Sequence, residues 1–130
     1  LSLIVATLGT PYEIDTRGKI LFIEDTHESN YVLDRLLTAL ALAGKFRDCS
    51  GIVLGTWTGC TAEIKKSYSG KDLPLDTIIE EVISPYGKPT ISGLYAGHNF
   101  PQITLPLGVK VNLDATKGTL AYVETHLFDV

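Results

Sequence analysis

Methionine is missing from all 130 residues, position 1 included. The chain opens on Leu1-Ser2-Leu3-Ile4-Val5 with no polar lead-in. Such an opening is expected of a piece cut from a longer protein. Cysteine is nearly as scarce, and Cys49 and Cys60 form neither a CxxC motif nor a metal-ligand spacing. Two reduced thiols, the usual state in a cytosolic protein, are expected rather than a disulfide. Positive charge is thin: 11 Lys and Arg stand against 15 Asp and Glu, a net charge of −4, and no basic stripe appears. That excludes the electrostatic footprint of a nucleic-acid binder. No apolar run approaches the ~20 residues of a membrane span, and no stretch reads as a signal peptide. There is no low-complexity segment and no internal repeat. The length suits one domain, residues 1–130, with a sizeable core.

What is present is organised around Lys19-Ile20-Leu21-Phe22-Ile23-Glu24-Asp25. A short unbroken apolar run, bounded by Arg17-Gly18-Lys19 and by two carboxylates, predicts a strand over 19–24 buried on both faces. In open α/β sheets ligands sit outside the carboxyl ends of the strands, and there this strand carries Glu24.

Around it the chain reads in order. Leu1, Ile4, Val5 and Leu8 share a helical face, so a short helix is expected with Gly9 past its end, although a strand competes. Tyr12 to Gly18 is a polar loop with a turn at Thr16-Arg17-Gly18. Ser29 to Leu42 is the clearest helix, capped by Ser29 or Asn30 and closed by Gly44. Its apolar stripe is Leu33, Leu36, Leu37, Leu40 and Ala41. Gly51 to Trp57 is a second apolar strand. Thr58 to Leu73 is long, polar and without periodicity, as an active-site flap or a mobile loop would be. Asp76 is expected to cap a helix over Thr77 to Ile83, which Pro85 ends. Pro89 to Leu94 is a third strand. Short strands over Gln102 to Leu105, Gly108 to Leu113 and Gly118 to Val123, joined by Pro106-Leu107-Gly108 and Asp114 to Lys117 turns, form an antiparallel tail. The fold class is therefore α/β: a short parallel βαβαβ core with helices on one face and a second strand layer on the other.

Three parallel strands bring Glu24, Thr56-Trp57-Thr58-Gly59 and Tyr95-Ala96-Gly97-His98-Asn99 to one edge. A carboxylate facing an imidazole is the orienter and base of a nucleophilic triad, and histidine suits the base role because it titrates near neutrality. Plainer readings stand beside this. A carboxylate ending a strand is commonly an acidic cap, which is also the simplest account of Asp25 and Glu28 near the Ser29 helix. A loop histidine is commonly a solvated surface residue. His27 lies in a charged run and His126 in the C-terminal tail, so both rank below His98 and neither is assigned a role. Trp57 lines a pocket or, more commonly for an aromatic at a strand end, joins the core. No serine lies in a Gly-x-Ser-x-Gly elbow, and neither cysteine lies in a nucleophile signature. The chain alone holds no complete covalent catalyst.

Four stretches in register carry a resemblance. They are Leu1-Ser2-Leu3-Ile4 with Leu8-Gly9-Thr10-Pro11-Tyr12; Gly18 to Asp25 followed by Asp34-Arg35-Leu36-Leu37; Gly51-Ile52-Val53-Leu54-Gly55; and Gly97-His98 with Thr104 to Gly108 and Gly118-Thr119-Leu120. Together they resemble the C-terminal domain of the LD-carboxypeptidases, serine peptidases that include the muropeptide carboxypeptidases and the microcin C immunity peptidases. The resemblance implies a swivelling β/β/α domain that supplies a glutamate and a histidine to a serine and oxyanion hole held by an N-terminal domain. Glu24 matches the family glutamate, and His98 matches the histidine of the Gly-His motif. The serine has no counterpart here, and the Gly-Gly-Asn that commonly precedes Leu-Ser is not present. The implied reaction is cytoplasmic cleavage of the L,D-bond to the terminal D-alanine of murein tetrapeptide during cell-wall recycling. The immunity-type amide cleavage of a peptidyl-nucleotide is the alternative, and a non-catalytic binding or dimerisation module is the rival from another class. No cofactor and no metal are expected. The expected partners are the murein peptide, the N-terminal domain and a second copy in a homodimer.

Overall fold

The computed structural model describes residues 1–60 and 73–123. The elements run α1 (Ser2–Ala6), β1 (Ile20–Thr26), α2 (Asn30–Leu42), α3 (Lys45–Asp48), β2 (Gly51–Thr58), α4 (Leu75–Val82), β3 (Thr90–Ile91), β4 (Val111–Asp114) and β5 (Thr119–Tyr122). Strands β1, β2 and β3 form a parallel sheet in that order, and β4 pairs with β5 as an antiparallel hairpin.

Strand alternation sorts the side chains into layers. On one face, Leu21 and Ile23 of β1 and Ile52 and Leu54 of β2 join the core with Leu33, Leu37 and Leu40 of α2 and Ile78 of α4. Of the predicted α2 stripe, Leu33, Leu37 and Leu40 are buried, and Leu36 and Ala41 are half-buried against the same core. Each such side chain contributes about 1.5–3 kcal/mol on burial. Ser29 caps α2 by accepting from the Val32 N–H at 3.4 Å. Gly44, at φ 76°, closes it in the left-handed conformation that a side chain resists. Phe46 and Tyr86 extend the core with ring centroids 5.8 Å apart. Trp57 packs against this core. Both cysteines are free thiols, and burial pushes each thiol's pKa up.

On the other face, Ile20, Phe22 and Val53 look across an apolar cleft at Leu105, Leu107, Val111 and Leu120. Leu113 of the hairpin comes so close to Gly51 that a Cβ there would stand 2.7 Å from it. The hairpin is thus the second strand layer, and the architecture is the mixed α/β one read from the sequence.

Several boundaries differ from the sequence reading. Strand β1 runs on to Thr26 and is buried on one face only, with Leu21, Ile23 and Asp25 inward and Ile20, Phe22, Glu24 and Thr26 half-buried. An apolar run cannot distinguish a face sealed by helices from one partly covered by a hairpin. Strand β3 has two residues instead of six: Gly93, at φ 78°, turns the chain away after Ser92. The Leu94 N–H still reaches back to the Leu54 carbonyl at 3.2 Å. Residues 102–105 form no ladder, because Pro101 and Pro106 flank them and offer no N–H. They are tied by the Ile103 N–H to the Tyr95 carbonyl at 2.8 Å. Helix α4 starts behind Pro74, and Asp76 lies in its first turn without bonding the cap. Residues 61–72 of the long loop, and His126, lie outside the described residues.

Asp25 also departs from expectation. It serves α1, not α2: its carboxylate accepts from Ser2 N–H and Ser2 Oγ, both at 3.0 Å, and from Thr26 N–H at 2.8 Å. Burial pushes the Asp25 carboxyl up, but the hydrogen bonds from Thr26 and Ser2 outweigh it and hold the group below its usual range. A carboxyl whose folded pKa is depressed contributes stability above its unfolded value, and that contribution is lost as pH falls through the folded value. Asp25→Asn is therefore expected to cost about 1–3 kcal/mol at pH 7. The gap to the parent chain should close on acidification below about pH 4, the unfolded range of an aspartate. Urea melts of both chains at the two pH values check this; a gap that widens in acid would show that Asp25 is not acting as a buried acceptor.

Candidate active site

The parallel sheet brings β1, β2 and the segment after β3 to one edge, where their carboxyl ends meet. Opposite Glu24 the β1–β2 register slips: Ile23 faces Leu54, but Asp25 faces Trp57. Gly55 and Thr56 of β2 thus oppose the single residue Glu24, a bulge that re-aims the side chains around it. Glu24 points to the hairpin face of the sheet, away from the helices, and its side chain is 18% exposed.

His98 reaches Glu24 across the sheet. Its Nδ1 lies 2.8 Å from Glu24 Oε2, and its ring is 61% exposed. An ionised carboxylate can only accept, so Nδ1–H donates and Nε2 keeps its lone pair. The pair joins residues 74 positions apart. The arrangement can orient an imidazole, present Nε2 as a proton acceptor and steady the imidazolium that results.

Two glycines make the approach possible. Gly97 precedes His98 at φ 121°, a conformation side chains rarely adopt, and a Cβ on it would stand 2.5 Å from Glu24 Oε2. Gly55 lies against the base of the same side chain, where a Cβ would stand 2.9 Å from Glu24 Cβ and 2.8 Å from the Ala96 carbonyl. The loop is tied to β2 by the Thr56 hydroxyl, which donates to Asn99 Oδ1 at 3.1 Å. The sequence reading set Thr56, Gly97 and Asn99 at this edge without giving them a role, and it met Gly55 only as part of the second strand and the family resemblance. A glycine inside an apolar strand pattern is a signal for a bulge or a close backbone approach, and Gly55 carried it.

The other candidates do not touch the pair. Asp25, next to Glu24, points to the opposite face and caps α1. His27 is exposed at the same edge, with Nδ1 2.7 Å from Thr26 Oγ1. Among the described residues no group of three or more His, Cys, Asp and Glu is arranged to hold a metal ion. Nor is any helix there long and apolar enough to cross a membrane.

Comparison with known proteins gives a consistent picture. A family model described as the LD-carboxypeptidase C-terminal domain matches residues 1–113. The probable murein peptide carboxypeptidase of Bacillus subtilis is 41% identical over 119 residues, 92% of this chain and 36% of that protein. The microcin C7 self-immunity protein MccF of Escherichia coli is 31% identical over 112 residues, 85% of this chain and 30% of that protein. The solved structure of MccF with glutamyl sulfamoyl guanosine superposes with a TM-score of 0.82 at 28% identity, over 98% of this chain and 37% of that one. The muramoyltetrapeptide carboxypeptidase from Oxalobacter formigenes gives 0.71 at 29% identity, over 85% of this chain and 37% of that one. The chain thus spans about a third of the length of the relatives it matches.

The clearance at Gly97 sets a direct test. Gly97→Ala places a methyl where the Glu24 carboxylate lies. It is expected to cost about 1–3 kcal/mol in stability and to part the pair beyond the ~3.5 Å limit of a hydrogen bond. A crystal structure of the variant checks both the backbone and the separation; an intact pair would mean that Gly97 does not set it.

Proposed function

The chain belongs to the LD-carboxypeptidase C-terminal domain family, and from that premise we propose that it is the proton-handling part of a two-domain serine peptidase. Its full-length parent cleaves the L,D-peptide bond to the terminal D-alanine of murein tetrapeptide in the cytoplasm, during cell-wall recycling. The observation that carries this reading is the 2.8 Å contact between Glu24 and His98 at the open edge of the sheet.

In this reading a serine of the N-terminal domain attacks the peptide carbonyl. His98 Nε2 takes the serine proton as the acyl bond forms and returns it to the amine of the departing D-alanine. It then takes a proton from the water that attacks the acyl-enzyme and passes it to the serine oxygen as the acyl bond breaks. Glu24 holds Nδ1–H throughout, fixing the tautomer and offsetting the charge on the imidazolium. The half-exposed ring suits a base whose substrate and nucleophile arrive from outside the chain. Leu3, Phe100 and Leu107 stand 83%, 96% and 79% exposed, apolar surface that an N-terminal domain or a second copy in a homodimer would cover.

A second reading has its own support. The chain superposes on MccF over 98% of its length at a TM-score of 0.82, against 0.71 over 85% for the muramoyltetrapeptide carboxypeptidase. The same pair would then serve hydrolysis of an aminoacyl-nucleotide amide. The 41% identity to a probable murein peptide carboxypeptidase favours the murein substrate.

The test is an assay of the full-length protein on both substrates, with amino-acid analysis of the released product. D-Alanine is expected from the tetrapeptide, and His98→Ala should lower kcat/KM by about 10²–10⁴. The 130-residue chain on its own should release none. Full activity in His98→Ala, or turnover by the isolated chain, would remove the proposed division of labour.

A further inference from the structure

His27 has an unusual setting for a surface histidine. Its backbone lies at φ 56°, and it is the one non-glycine residue with positive φ among the described residues. Such backbone costs free energy and persists where the surroundings enforce it, often at a ligand site. Here three contacts enforce it. The His27 N–H donates to the Thr58 carbonyl at 2.9 Å, which pins the turn to the end of β2. The ring lies over Gly59, where a Cβ would stand 2.8 Å from Cδ2 and 3.0 Å from Nε2. The third contact fixes the ring's protonation pattern.

Thr26 Oγ1 lies 3.0 Å from the Thr58 carbonyl oxygen and 2.7 Å from His27 Nδ1. A carbonyl only accepts, so the one hydroxyl proton goes to Thr58. The same hydroxyl oxygen must then accept from the imidazole, so the ring proton of neutral His27 is on Nδ1. Nε2 is left as an acceptor with no partner among the described residues. Thr26 shares the hairpin face of β1 with Glu24, two residues or about 7 Å further along the strand. His27 and His98 thus lie at one sheet edge with Nδ1 held and Nε2 without a partner among the described residues. They differ in what stands behind Nδ1. His98 has a carboxylate, which suits proton transfer, whereas His27 has a neutral hydroxyl, which orients the ring without supplying a counter-charge.

We infer that His27 is a substrate-binding residue of this site, whose Nε2 accepts a hydrogen bond from an N–H of the bound peptide. The inference rests on the peptidase reading above and adds to it a contact that positions the substrate without entering the chemistry. Thr26 is the positioning residue that keeps Nε2 an acceptor.

The experiment uses the full-length protein and murein tetrapeptide. His27→Phe keeps a ring but removes the acceptor, and should raise KM about 3- to 10-fold, the worth of one ordinary hydrogen bond, with kcat changed less than twofold. Thr26→Val leaves the strained residue in place and frees Nδ1. It should raise KM in the same direction, and ¹⁵N shifts of labelled histidine should show His27 moving from the Nδ1–H form towards the Nε2–H form. His27→Gln, which restores an acceptor oxygen, should recover part of the affinity. An unchanged KM in both His27→Phe and Thr26→Val, or an Nε2–H tautomer in the parent protein, overturns the inference while leaving the Glu24–His98 chemistry standing. If the parent protein hydrolyses neither substrate, the peptidase reading fails and this inference fails with it.

Discussion

The site depends on clearance. The Glu24 side chain fills space that a side chain on Gly97 or Gly55 would occupy: its carboxylate at Gly97 and its Cβ, beside the Ala96 carbonyl, at Gly55. Three chain segments therefore converge more closely than side-chain-bearing backbones allow, and the carboxylate is the object they converge on. The bulge in β2 falls opposite Glu24, at the same point of the sheet. The imidazole of His98 is then delivered by a backbone conformation that glycine adopts without strain. Preorganisation here comes from what is left out of the chain as much as from what is put in.

Two adjacent carboxylates show how a strand divides labour. Glu24 and Asp25 differ by one position, so the pleat sends them to opposite faces. Asp25 meets the helix layer, is buried, and spends its lone pairs on the first turn of α1. Glu24 meets the open face and keeps its carboxylate for His98. The amino end of the sheet is secured differently. Lys45 is buried, yet its ammonium pairs with Glu13 at 2.5 Å and donates to the Ile14 carbonyl at 2.7 Å, fastening the loop that precedes β1. The Lys45 bond and the Gly9 N–H together hold the Glu13 carboxyl below its usual range. One end of the sheet is closed by charge pairing, and the other stays open around Glu24 and His98.

Much of the scaffold was legible because its signals are local. The α2 stripe, the Ser29 cap, the Gly44 stop and the apolar β2 run each follow from periodicity or from one residue's backbone preference. The Asp114–Lys117 turn was legible for the same reason, with the Lys117 N–H on Asp114 Oδ1 at 3.0 Å. The misjudged elements were those set by neighbours. Strand β3 shrank because Gly93 turns out of the ladder, and 102–105 stayed unpaired between prolines. Asp25 went to a helix that lies before it in the chain, which spacing to the following helix could not show.

The sequence by itself determined the α/β class, the order of elements and the family resemblance, because apolar periodicity and turn chemistry act within a few residues. It also named Glu24 and His98 as the residues at strand ends worth pairing. Only the tertiary structure decided that they touch, which face they use, and that Gly55, Thr56, Gly97 and Asn99 hold them there. Those facts depend on strand register and on contacts between segments more than 40 positions apart. No local pattern encodes such distances; they exist once the sheet is assembled and its strands have been brought edge to edge.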